Sequence, residues 1–127
     1  MASDSENTGS PVAWQDVLER IDGDDELLLD LINIFLDDTP AQIRKLQAAL
    51  DAGDMRVAER LAHSIKGASA NMGVKDLCSA AYAGEMAAKQ DNLDGAKQAY
   101  LNIEREYRRA ESAMRQRLDA GGKACEC

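Results

Sequence analysis

The chain holds one histidine, His63, within the stretch AERLAHSIKGASANMGV at residues 58–74. Lys66 follows it by three positions and Gly67 by four, a spacing that on a helix sets all three on one side. An imidazole with an ordinary pKa of about 6.5 is largely neutral near pH 7. Its unprotonated nitrogen is then a competent nucleophile. Phosphorus suits such a nucleophile, because phosphoryl transfer needs positioning and charge neutralisation more than covalent machinery. Lys66, one helical turn away, can supply the charge. Gly67 is the odd member, since glycine in an exposed helix interior costs about 1 kcal/mol relative to alanine. What it offers is a bare backbone that lets another molecule come close to the imidazole. A solvated histidine that only happens to lie beside a lysine would show the same residues, so the constellation alone leaves both readings open.

A helix must carry these groups, and the residues around them predict one. At 100° per residue, Val57, Ala58, Leu61, Ile65, Ala68 and Met72 fall within one narrow arc and form a core face. His63 points away from it and shares its side with Arg56, Glu59, Arg60, Lys66, Gly67 and Ala70. Asp54 is placed to cap this helix and Gly73 to end it. Before it, Ser10 and Pro11 predict a cap and first turn for a short helix carrying Trp14, Val17, Leu18 and Ile21. The run ELLLDLINIFLDD, apolar on nearly every side, predicts a central helix. Thr39 and Pro40 predict a stop and a new start, with Ile43, Leu46 and Leu50 as the stripe of a following helix that ends at Gly53. Another helix is expected over residues 74–90. The final one is the most regular: Leu93, Ala96, Tyr100, Ile103, Tyr107, Ala110, Met114 and Leu118 keep a 3–4 spacing for about 40 Å.

Composition narrows what such a bundle can do. A chain of 127 residues fits one domain and leaves no room for a second catalytic module. With 23 acidic against 15 basic residues and a net charge of −8, it is a poor ligand for DNA or RNA. An acidic protein partner would have to be met by a local basic patch. No apolar run approaches the roughly 18 residues of a membrane span, and the polar start MASDSENTGS lacks the apolar core of a signal peptide. A soluble, cytoplasmic, monomeric protein is expected. Cys78, Cys125 and Cys127 are an odd number without metal-ligand spacing, which fits reduced thiols. The domain is expected over residues 11–119, with disordered segments at 1–10 and 120–127.

The stretch AHSIKGASANMG resembles the signature of histidine phosphotransfer (HPt) domains, Ala-His-x-x-Lys-Gly followed by small residues and a second glycine. Ala62, His63, Lys66, Gly67 and Gly73 match it. The resemblance extends over residues 12–118, through FLDDTPAQIRKLQAAL and LCSAAYAGEMAAKQDNLDGA. It implies an all-α fold, an antiparallel up-down four-helix bundle with an additional short N-terminal helix. It implies that His63 receives phosphate from one receiver-domain aspartate and gives it to another, that Lys66 contacts the phosphate, and that Gly67 opens the approach. Glu85 stands where the family often has a glutamine or glutamate bonded to the histidine. Its own position, in line with Cys78, Ala81 and Ala88, puts it on a small-residue stripe suited to face the His63 helix. The implied partners are response-regulator receiver domains and a hybrid sensor histidine kinase, with docking on Arg56, Arg60 and Ala70. No cofactor or metal of its own is implied.

Other chemistries fit less well. A di-iron bundle wants two Glu-x-x-His motifs, zinc wants more His or Cys ligands, and no Walker loop, dinucleotide turn or nucleophilic triad is present. A helical adaptor that binds without phosphate is a second reading. A third keeps the fold as the substrate domain of a chemotaxis-type histidine kinase. Acid-labile phosphorylation separates the adaptor from the other two.

Overall fold

Two aspartates start two of the core-forming helices. In the computed structural model, which describes residues 10–126 with side chains to residue 120, Asp24 Oδ1 accepts from the Leu27 amide and Asp54 Oδ1 from the Val57 amide. Each satisfies one of the amides that the first turn of a helix leaves unpaired. The described residues form five helices and no strands: α1 (Trp14–Arg20), α2 (Asp25–Asp51), α3 (Met55–Asn71), α4 (Lys75–Lys89) and α5 (Leu93–Glu126). Connections of three residues, 52–54, 72–74 and 90–92, force successive long helices to run antiparallel. The helices α2, α3, α4 and α5 pack in a ring, each against the next and α5 back on α2. This is the expected up-down four-helix bundle with its short N-terminal helix. None of the described helices is long and apolar enough to cross a membrane.

One expected boundary is absent. The helix predicted to stop at Thr39 continues, so that α2 has Pro40 inside it, and Thr39 is a buried side chain instead of a cap. The reason is the apolar stripe. Leu28, Ile32, Phe35, Thr39, Ile43, Leu46 and Leu50 keep one buried face on both sides of the proline. Burying those side chains, at about 1.5–3 kcal/mol for each large one, outweighs the roughly 3 kcal/mol that an interior proline costs. Pro40 itself is only half-buried.

The start of α1 also differs. Ser10 closes a local turn on Val12, accepting from its amide and donating to its carbonyl, and the helix begins only at Trp14. Val12 is buried, and the Ala13 amide is committed to the Gly73 carbonyl at 2.8 Å, which keeps this segment out of the helix. Gly73 is required at that contact. Its φ of 68° is left-handed, and a Cβ there would lie 3.0 Å from the Ala13 carbonyl oxygen and from Val17 Cγ2. At the other end, the backbone of α5 runs on as helix to Glu126, beyond the boundary expected at residue 119. Among the described side chains the last buried one is Met114. The expected N-terminal disordered segment lies, except for Ser10, outside the described residues.

Candidate functional site

The close packing of α3 on α4 determines which side chains meet. Ala58, Ala62, Ile65, Ser69 and Met72 are the buried positions of this part of the chain, while Val57, Leu61 and Ala68 are half-buried. The core face is therefore rotated toward Ala62 and Ser69 relative to the arc read from hydrophobicity. Gly84 of α4 faces this turn: a Cβ there would stand 3.8 Å from Ala62 Cβ and 3.5 Å from both Ala99 Cβ and Ile103 Cδ1, ordinary contact distances. Small residues on both sides let the two backbones approach, and Ser69 ties its hydroxyl to the Ile65 carbonyl at 2.6 Å, which makes its burial tolerable.

That approach brings Glu85, the neighbour of Gly84, against the outward side of α3. The His63 side chain is 65 % exposed and that of Glu85 13 %. Glu85 Oε2 lies 2.9 Å from His63 Nδ1, and Oε1 lies 2.8 Å from Lys66 Nζ. No donor is directed at Oε1 in hydrogen-bond geometry, so the contact with Lys66 is an ion pair. The Lys66 ammonium beside it holds the Glu85 carboxyl below its ordinary value; His63 acts in the same sense, and together they outweigh the desolvation that opposes them. Glu85 in turn raises the Lys66 ammonium above its usual value.

The protonation pattern follows. An ionised carboxylate can only accept, so the hydrogen between Glu85 and a neutral His63 belongs to Nδ1. The lone pair is then left on Nε2, on a ring held at its other nitrogen and open to solvent. Gly67 is exposed, and a Cβ at that position would meet nothing within 4 Å. Arg56, Arg60 and Ala70 are exposed on the same helix. The structure thus brings His63 and Lys66 each into contact with Glu85 and leaves Arg56, Arg60, Gly67 and Ala70 as surface around them.

Two residues join this region that sequence reasoning does not single out. The Tyr82 ring, three positions before Glu85 on α4, lies with its centroid 5.2 Å from Lys66 Nζ. Its signal was the i, i+3 spacing to Glu85. Arg20 of α1 donates to the carbonyls of Ala70 and Asn71 at 3.2 and 2.9 Å, satisfying the end of the helix that carries His63. A guanidinium there also complements the negative end of the helix dipole. No group of three or more His, Cys, Asp or Glu side chains suited to hold a metal occurs among the described residues.

The fold has counterparts. Among solved structures, the chain is 28 % identical to histidine-containing phosphotransfer protein B of Pseudomonas aeruginosa PAO1, with 85 % of this chain and 95 % of that one covered and a TM-score of 0.79. It is 25 % identical to the HPT domain of a sensor hybrid histidine kinase from Shewanella, covering 87 % of this chain and 95 % of that one at a TM-score of 0.76. Maize ZmHP2, a histidine-containing phosphotransfer protein at 20 % identity, shares the fold, with 90 % and 84 % covered and a TM-score of 0.78. No curated protein matches the chain. Residues 30–120 match the Hpt domain family. With most of its length so matched, the chain belongs to the Hpt domain family and serves phosphotransfer in phosphorelays.

Proposed function

We propose that His63 is the phosphoryl carrier, accepting the group at Nε2 from the aspartyl phosphate of one receiver domain and passing it to the aspartate of another. The observation that carries this is the Glu85 bridge, 2.9 Å to His63 Nδ1 and 2.8 Å to Lys66 Nζ, beneath an otherwise open imidazole. In the forward step the Nε2 lone pair forms the P–N bond while the acyl phosphate P–O bond breaks, and the receiver's aspartate leaves as a carboxylate. The Nδ1 proton stays where it is, so the phosphorylated ring carries positive charge that Glu85 stabilises. Lys66 offsets the charge of the phosphoryl oxygens. Passing the group on reverses these events on the second receiver.

The chain carries the group between partners and brings no ATP site or metal of its own; the receiver domains supply their own Mg²⁺. Its partners are response-regulator receivers and a hybrid sensor histidine kinase in the cytoplasm, met by a monomer. Arg56 and Arg60 face the acidic receiver pocket, while Gly67 and Ala70 keep the centre of the contact low enough for the phosphoryl group to reach His63. Labelling from a phosphorylated receiver tests the reading: His63→Gln removes acid-labile label and leaves the helical content unchanged. Label retained in that variant overturns it.

A further inference from the structure

Lys66 is held from two directions, and only one of them is ionic. Its side chain is 27 % exposed; Glu85 Oε1 stands 2.8 Å from Nζ, and the Tyr82 ring centroid stands 5.2 Å from the same nitrogen. Tyr82 and Glu85 are one turn apart on α4, so a single helix face holds the ammonium. Tyr82 is 51 % exposed, and its ring lies over the ammonium.

We infer that Tyr82 is a positioning residue for phosphotransfer, its ring face holding the Lys66 ammonium beside His63. The inference rests on His63 being the carrier and adds to that reading the element that keeps the charge in place. A lysine has a flexible four-carbon stem and loses many rotamers when fixed, so one carboxylate restrains it incompletely. A second carboxylate would restrain it better but would repel the incoming phosphoryl group. An aromatic face attracts the cation through its quadrupole without adding net charge. The ammonium therefore keeps its charge available. With three N–H donors, the ion pair on one side and the ring on another, it also retains donor capacity for phosphoryl oxygens.

The test uses the whole chain and phosphoramidate as a small phosphodonor, so that receiver docking plays no part. In this reaction the histidine Nε2 forms its P–N bond as the donor's P–N bond breaks and ammonia leaves. Tyr82→Leu keeps apolar bulk and discards the quadrupole; it slows phosphorylation by about two- to fivefold, the range of an exposed cation–π contact. Tyr82→Phe recovers the rate. Melting temperatures stay together, because the ring is half exposed. The Lys66 Hε resonances report the contact itself: the ring current displaces them in the wild type and in Tyr82→Phe, and Tyr82→Leu returns them toward the values of a free lysine. Equal rates for Tyr82→Leu and the wild type, or Lys66 resonances that ignore the substitution, overturn the inference. So does a Tyr82→Phe variant as slow as Tyr82→Leu, since the hydroxyl would then be the active part. Label taken up by His63→Gln in the same assay instead overturns the underlying assignment of the histidine.

Discussion

Gly67 and Gly84 lie on facing helices and should respond to the same substitution for different reasons. At Gly67 an added Cβ meets nothing within 4 Å, so alanine there gains helix propensity of about 1 kcal/mol without a new contact. For a domain of this size that raises the melting temperature by roughly 3–5 °C. At Gly84 the added methyl stands 3.5 Å from Ala99 Cβ and Ile103 Cδ1, which is ordinary contact distance. Gly84→Ala therefore gains the propensity and buries the methyl as well, for a total of about 1–2 kcal/mol. Function separates the two positions. Gly67→Gln still stabilises, by about half a kcal/mol, but sets a long side chain on the surface a receiver must approach, and transfer from a phosphorylated receiver falls. Gly84→Ala lies beneath that surface and transfers at the wild-type rate. Thermal melts by circular dichroism and a receiver-to-histidine time course measure both quantities on the same preparations. A lowered melting temperature in Gly67→Ala refutes the open-space argument. Unimpaired transfer in Gly67→Gln refutes close approach as the reason for the glycine.

Glu85→Gln should slow acceptance of phosphate, because the amide no longer attracts the Lys66 ammonium or stabilises a positively charged ring; wild-type rates in that variant would contradict the bridge. Its stability profile is a separate check. The Glu85 carboxyl is held below its ordinary value of 4.5, so its contribution is complete above pH 4.5 and disappears as the pH falls through the lowered value, a loss that urea titrations should find in the wild type and not in Glu85→Gln. Reversing Arg56 and Arg60 to glutamate together should slow association with a cognate receiver and weaken its salt dependence, since charge steering is screened over about 10 Å at 0.1 M salt. Stopped-flow association that is unchanged by the double reversal would move the docking surface elsewhere on the bundle.

The part of the site that lies on one helix was legible in the sequence. His63, Lys66 and Gly67 are related by i, i+3 and i, i+4 spacing, and helix geometry alone sets them on one side. Glu85 needed the family resemblance and the small-residue stripe, because its distance to His63 depends on how two helices pack. Tyr82 needed more still: its i, i+3 spacing to Glu85 puts both on one face of α4, but only the packing of α4 on α3 decides that this face reaches Lys66. The same packing turned the core face of α3 toward Ala62 and Ser69, residues too small or too polar to register as a hydrophobic stripe. Pro40 misled for the opposite reason. Its local preference to break a helix is strong, but Phe35, Thr39 and Ile43 are buried together on either side of it, and tertiary packing prevails. Ser10 and Pro11 have the composition of a helix start, yet the Ala13 amide has a partner in Gly73 that only the folded chain provides.

Phosphotransfer through this chain turns on one bond, between phosphorus and a particular nitrogen of a particular residue. Nitrogen-15 and phosphorus-31 correlation spectroscopy on the uniformly labelled, phosphorylated protein measures it directly. A single phosphohistidine at His63 is expected, with the phosphorus coupled to Nε2 and a proton retained on Nδ1 toward Glu85. Phosphorus coupled to Nδ1, or borne by any other residue, would contradict that assignment.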